Sequence, residues 1–400
     1  MPVAQRFAPF GTTIFTEMTA LAVKHRAVNL SQGFPDFDGP DFVKAAAVEA
    51  IGAGLNQYAR MSGLPQLNAA IARHWARQTG VTIDPDGQVT VTSGCTEALA
   101  AAFLGLVDPG DEVILFEPFY DSYRACCAMA GATVRTVALR PPSSDTTVAM
   151  EAPAAQQAFG FDEAELRAAF GPKTRAILVN TPHNPTGKVF TQGELSFIAE
   201  LCIEHDVIAI TDEVYEHLVY APELPHIRLA TLPGMAERTL TLSSLGKTFS
   251  LTGWKVGWAI GAPELSRCVR AAHQFITFAT ATPLQAAAAV ALEEGGRYVS
   301  ELACTLAGRC NLLGGALERI GFRVFRPAGT YFILADHTPI SGGKSDVEFC
   351  RWLTAEVGVA AIPPSVFYSD PERGRSLVRF AFCKREETLS AAIERLSKLA

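Results

Sequence analysis

Short runs of β-branched and aliphatic residues alternate with longer amphipathic stretches through the middle of this chain. Gln88–Ser93 (QVTVTS), Glu112–Phe116, Thr133–Ala138, Arg175–Asn180 (RAILVN), Val207–Thr211 (VIAIT), Thr239–Ser243 (TLTLS) and Val256–Ile260 (VGWAI) read as strands. Thr96–Val107, Tyr120–Ala130 and Gln192–His205 read as helices between them. Runs such as ILVN and VIAIT are apolar at nearly every position, so both faces of those strands need covering. The alternation predicts an α/β fold on a mostly parallel sheet wrapped by helices.

The pattern changes near Pro283. Ala/Leu-rich helix runs to about Arg319, followed by strand Thr330–Ala335, helix Asp346–Val357, strand Leu377–Phe382 and helix Glu386–Leu399. This mixed segment reads as a smaller α+β domain. We expect residues 1–45 to form an N-terminal arm and part of the small domain, 46–285 the large domain, and 286–400 the C-terminal small domain. Arg140–Gly160, rich in Pro, Ser, Thr, Ala and Gln, reads as a surface insertion. No internal repeat is visible.

Composition narrows the function classes. Of 400 residues, 48% are hydrophobic and 19% charged, enough to fill a core and too apolar for a disordered chain. The net charge is −7, so no overall attraction to nucleic acid is expected. The most apolar stretches, Ala98–Val107 and Pro283–Leu292, are far shorter than the ~20 residues a bilayer requires. Met1–Phe10 lacks the apolar segment of a secretion signal. Nine scattered cysteines without a CxxC pair read as reduced thiols in the cytoplasm, most of them small buried hydrophobes.

Three motif classes fall away. Gly246-Lys247-Thr248 resembles the tail of a nucleotide-binding GxxxxGK[ST] loop, but Thr241 stands where its first Gly belongs. No GxGxxG joins a strand to a helix. The eight histidines form no HExxH and no cluster with cysteines, so no metal site is expected.

Four clusters remain, each at a strand end, where open α/β sheets bind ligands. Ser93-Gly94-Cys95-Thr96-Glu97 opens a helix whose free N–H groups suit an anion, although a plain helix cap has the same pattern. Asn180-Thr-Pro-His-Asn184-Pro-Thr-Gly187 presents two amides on a loop fixed by proline; turn chemistry alone is the alternative. Asp212-Glu213-Val-Tyr215 puts a carboxylate at a buried strand end, either as a structural ion pair or facing a cationic ligand. Ser243–Gly257 gathers two hydroxyls, Lys247, Lys255 and several glycines between two apolar strands. Lysine in so tight a loop suits a nucleophilic amine better than a solvated surface charge.

In this order, the clusters resemble the fold-type I, pyridoxal-phosphate-dependent aminotransferases of classes I and II. So do Ser31–Phe37 (SQGFPDF), Asn56–Tyr58, Glu117–Tyr120, Gly329–Phe332 and Arg379–Phe382. The stretches NLSQGFPDFDGP, NTPHNPTG, DEVYEHL, GKTFSLTGWKVGW and VGVAAIP resemble the kynurenine/methionine aminotransferase branch, its bacterial methionine aminotransferases above all.

The resemblance implies the roles that follow. Lys247 bonds to the aldehyde of pyridoxal 5′-phosphate, Asp212 pairs with its ring nitrogen, Asn184 and Tyr215 hold its 3′-oxygen, and Tyr120 stacks on the ring. Gly94, Cys95, Thr96, Ser244 and Lys255 bind the phosphate, with Tyr58 reaching it from the second subunit of a homodimer. Arg379 clamps the substrate α-carboxylate, helped by Asn184 and the backbone of Gly33. Phe15, Tyr331 and the second subunit's Phe278 line the side-chain pocket. Phe15 and Tyr120 stand where the kynurenine enzymes carry Trp and Phe, which bears on substrate choice.

The implied activity is ping-pong transfer of an amino group from methionine or an aromatic-type amino acid to a 2-oxo acid. Kynurenine transamination, cysteine-S-conjugate β-elimination and N-succinyldiaminopimelate transamination are alternatives on the same lysine. A cofactor-sensing transcription regulator of the same fold would carry a helix-turn-helix ahead of these motifs, which already begin at Ser31.

Overall fold

The computed structural model describes residues 3–142 and 158–399. Most of the insertion predicted over 140–160 lies outside them. A seven-stranded sheet forms the centre. Val89–Thr92 (β1), Glu112–Glu117 (β2), Thr133–Ala138 (β3), Thr174–Asn180 (β4), Ile208–Asp212 (β5), Thr239–Ser244 (β6) and Gly257–Ile260 (β7) lie in the order β1-β7-β6-β5-β4-β2-β3. β7 runs antiparallel to both neighbours, and every other pair is parallel.

The two-sided burial expected of these strands is realised residue by residue. Along β4, Ala176 and Leu178 enter one apolar core while Ile177 and Val179 enter the other. On β5, Ile208 and Ile210 join the first core and Ala209 the second. Pleating sends successive side chains to opposite faces, so an unbroken apolar run is what a sheet covered on both sides demands. Helices Gly94–Leu106 and Ser122–Ala130 bury residues in the first core, and Gln192–Glu204 buries residues in the second.

A smaller antiparallel sheet follows: Arg323–Phe325 (β8), Phe332–Asp336 (β9) and Leu377–Ala381 (β10), ordered β10-β9-β8. The sequence does not announce β8, since three residues are too few to show a period. Helix Asp346–Trp352 ends in a π-turn, Leu353–Val357, and stops at Gly358 with φ +83°. Val28–Asn29 pairs in parallel with Val359–Ala360, which ties the N-terminal segment to this C-terminal part. No described helix is long and apolar enough to cross a membrane.

The parallel strands all end at one edge. Ser93 follows β1, Asn180 and Asp212 close β4 and β5, Ser244 closes β6, and Lys255 precedes β7, which starts from that edge. Topology alone therefore brings the four sequence clusters together.

Candidate active site

A cavity of about 260 Å³ opens at this strand edge. At one end lies an anion cup. The helix after β1 starts at Gly94, two residues earlier than the sequence suggested, so the Gly94–Thr96 backbone forms its first turn. A Cβ at position 257 would fall 2.5 Å from the Gly94 carbonyl carbon and 2.6 Å from the Cys95 nitrogen. Glycine there lets β7 press directly against the helix start. Lys255 adopts a left-handed backbone (φ +53°) and sets its Nζ 3.4 Å from Thr96 Oγ1. Helix start, ammonium and the Ser244 hydroxyl all line the same cavity.

Asp212, the last residue of β5, is 4% exposed. Its Oδ2 accepts a 2.7 Å hydrogen bond from the Tyr123 hydroxyl, its Oδ1 accepts from the Val214 N–H at 3.3 Å, and the Cys95 thiol lies 3.7 Å from Oδ1. Burial pushes this carboxyl's pKa up, and these donors oppose the shift. Asn180 donates to the Asp212 carbonyl at 2.8 Å and accepts from the Asn184 N–H at 2.8 Å, which locks the two loops to each other.

Lys247 lies in the single helical turn Leu245–Thr248 that follows β6. Its Nζ donates to the Tyr331 hydroxyl at 2.9 Å and to the Gly33 carbonyl at 3.4 Å, while that hydroxyl donates to the same carbonyl at 2.6 Å. Burial lowers the Lys247 pKa to about 8; the Lys255 and Arg379 cations push the same way, and Cys383 and Asp212 oppose them. Tyr215 packs its ring edge-on against Tyr331, and burial raises its phenol pKa.

Arg379, on β10, is 2% exposed. Its two terminal nitrogens donate to Asn184 Oδ1 and to the Ser31 carbonyl, each at 3.1 Å, while Nε has no partner. Phe332, Phe15 and Phe367 surround the guanidinium at 4.2, 5.3 and 5.5 Å from their ring centres. Among the described residues no carboxylate forms an ion pair with it, and burial lowers its pKa to about 10. Asp121 is the nearby carboxylate, acting on the guanidinium without ion-pairing it, so a buried guanidinium that faces the cavity can receive a carboxylate from outside.

Every residue to which the resemblance assigned a cofactor or substrate role lines this cavity except Tyr58, Tyr331 and Phe278. Tyr331 is buried behind Lys247, and its neighbour Phe332 forms the wall where Tyr331 was expected. Tyr58 and Phe278 pair edge-to-face at 5.7 Å on the surface, 87% and 44% exposed. Tyr123, Thr252 and Gln32 also line the cavity, although the sequence reading gave them no role.

The sequence profile of the family "Aminotransferase class I and II" matches residues 25–396. A Mycobacterium tuberculosis (strain H37Rv) protein named "Probable N-succinyldiaminopimelate aminotransferase" is 48% identical over 99% of this chain and 98% of its own length. The methionine aminotransferase of Escherichia coli K12 is 42% identical over 97% of this chain and 96% of its own. A kynurenine–oxoglutarate transaminase of Dictyostelium discoideum is 39% identical, covering 99% and 96%. The solved structure of N-succinyldiaminopimelate aminotransferase from M. tuberculosis superposes with a TM-score of 0.94 at 48% identity, covering both chains fully. Likeness that runs the length of the chain, in sequence and in fold, assigns this protein to the class I and II aminotransferases of fold type I, and hence to the transaminases.

Proposed function

We propose that the protein transfers the amino group of methionine, or of an aromatic-type amino acid, to a 2-oxo acid, with pyridoxal 5′-phosphate as cofactor and by a ping-pong mechanism. It acts as a cytoplasmic homodimer in which Tyr58 and Phe278 serve the neighbouring subunit's site. Arg379 carries this reading, because both substrates share an α-carboxylate and the guanidinium lacks one.

The residues fit the cofactor. The cup at Gly94–Thr96, Ser244 and Lys255 suits a phosphate, and the Gly94–Gly257 approach leaves its backbone bare. A carboxyl whose pKa burial has raised is relieved by a cationic ring nitrogen. When bound, pyridoxal phosphate supplies an electron sink for the negative charge that develops at the substrate Cα. Asp212 holds the proton on the ring nitrogen. Asn184 and Tyr215 would hold the ring's 3′-oxygen, and Tyr120 would cover its face. Lys247 Nζ takes the proton from Cα. Arg379, Asn184 and the Gly33 backbone orient the α-carboxylate so that the Cα–H bond points at that amine.

Lys247 must be neutral to act as base or nucleophile. Uptake of pyridoxal phosphate by cofactor-stripped protein will therefore accelerate as pH rises through about 8 and fade below it, as a proton occupies Nζ. An unperturbed lysine would set that midpoint near ~10.4. Stopped-flow absorbance across pH distinguishes the two, and a midpoint at the ordinary value contradicts this role.

Phe15, Phe34, Leu99 and Phe332 give the cavity apolar lining, and among the described residues no second arginine lines it. In a steady-state panel with one fixed oxo acid, methionine and aromatic donors will exceed aspartate in kcat/KM by about 10²-fold or more. Differences among the apolar donors will stay within roughly 10–200-fold per methylene. The 48% identity to the M. tuberculosis relative favours a second reading, N-succinyldiaminopimelate as donor. That reading prevails if the succinylated substrate outruns methionine by orders of magnitude.

A further inference from the structure

We infer that the protein carries a second binding site, for one divalent transition-metal ion of the zinc type, formed by His74 Nε2, His217 Nε2 and Glu216 Oε2. None of the three lines the active-site cavity. His74 projects from helix Pro65–Thr79, while Glu216 and His217 lie on the loop that follows Asp212, the last residue of β5, and also carries Tyr215. The two histidines lie 143 positions apart in sequence, which is why no spacing motif announced them.

The two Nε2 atoms are 3.1 Å apart, with the rings inclined at 68°. Two N–H groups cannot face each other at that distance, so at least one ring turns a lone pair toward the other. Tetrahedral zinc with Zn–N bonds of 2.0–2.1 Å holds its nitrogens about 3.3 Å apart. The pair therefore already has the edge length of such a site, and an ion replaces the single shared proton with little movement. Glu216 Oε2 lies 3.9 Å from His217 Nε2, and all three ligand atoms fall within 4.8 Å of one another. A carboxylate shift of about 1 Å completes three protein ligands, leaving a fourth position for water. A cavity lined by Gln78, Thr79, Glu216, His226 and Arg228 reaches the Glu216 side of the site.

Charge favours a cation there. Glu213 and Glu216 are both buried and share one guanidinium, Arg228, which donates to each. His226 faces Glu213 from the other side, its Nε2 at 2.8 Å from the carboxylate. Two carboxylates against one arginine leave an excess of negative charge in a poorly hydrated setting, which a metal offsets. Arg228 repels the same ion, so binding will be weaker than at a zinc site of four thiolates. The occupied site would fasten the loop that follows Asp212 and bears Tyr215 to helix Pro65–Thr79.

The test is equilibrium dialysis of the holoenzyme against zinc chloride. We expect one equivalent of zinc per chain, bound at least about 10-fold more weakly by His74→Gln and by His217→Gln. Cys304→Ser and Cys268→Ser, which remove the more accessible thiols, will leave it unchanged. Thermal unfolding of each variant without metal verifies its fold. On the wild-type protein, copper(II) electron paramagnetic resonance should show coupling to imidazole nitrogens, a readout that needs no variant. Absence of stoichiometric zinc, unchanged binding in both histidine variants, loss of binding with either cysteine, or a copper spectrum without nitrogen coupling each overturns the site.

Discussion

Lys247→Ala will lose at least about 10⁴-fold in turnover while keeping its fold. The amine is the base that receives the Cα proton, a role worth roughly 10²–10⁴-fold on its own, and it is also the covalent anchor of the cofactor. Nothing nearby replaces it. Lys255 is held at the anion cup, 3.4 Å from Thr96 Oγ1, and Arg379, with its pKa at about 10, keeps its proton at neutral pH. Lys247→Arg will fail almost as badly for that last reason, although it keeps the charge. The thermal midpoint will hardly change, because burial already lowers the lysine's pKa and its removal relieves a desolvated cation. Borohydride reduction of the holoenzyme followed by peptide mapping will place the pyridoxyl label between Gly246 and Thr248. A variant with undiminished turnover, or label on another residue, removes Lys247 from the mechanism.

How much of this was legible beforehand depends on how far each signal extends along the chain. The central strands were readable because burial on both faces leaves an unbroken apolar run, and ILVN and VIAIT needed no partner to be recognised. Asp212 stood out as a charge at the end of such a run, and Lys247 as an amine in a glycine-rich loop. The small sheet was harder. β8 spans three residues, and Phe332 joins the cavity lining beside Arg379 while Tyr331 meets Lys247 through its hydroxyl. Tyr123 and the His74–His217 contact were invisible for another reason. Each depends on a partner far away, Asp212 in one case and an element 143 positions distant in the other, and only the folded chain joins them.

Arg379 gives the sharpest test of what the fold sacrifices for the site. Arg379→Lys will lower kcat/KM by about 10²–10³-fold for every amino donor and every oxo acid alike, equivalent to roughly 3–4 kcal/mol. Lysine keeps the charge but loses the two parallel hydrogen bonds that match a carboxylate, and an ammonium stacks poorly among Phe15, Phe332 and Phe367. A uniform loss is the signature, since the α-carboxylate is the group all substrates share. Stability will move differently. Burial lowers the folded pKa of Arg379 to about 10, below its ordinary 12.5. A base shifted in that direction costs the folded state stability wherever it is charged, which means throughout the pH range below about 10, and the cost disappears only as pH rises past the unfolded value. Arg379→Met keeps the length and the aromatic contacts without the desolvated charge, so its thermal midpoint at pH 7 will equal or exceed that of the parent while activity collapses. Calorimetry beside a substrate panel decides the matter. If the midpoint falls together with activity, or the loss depends on the donor's side chain, Arg379 is a structural cation and the carboxylate is held elsewhere.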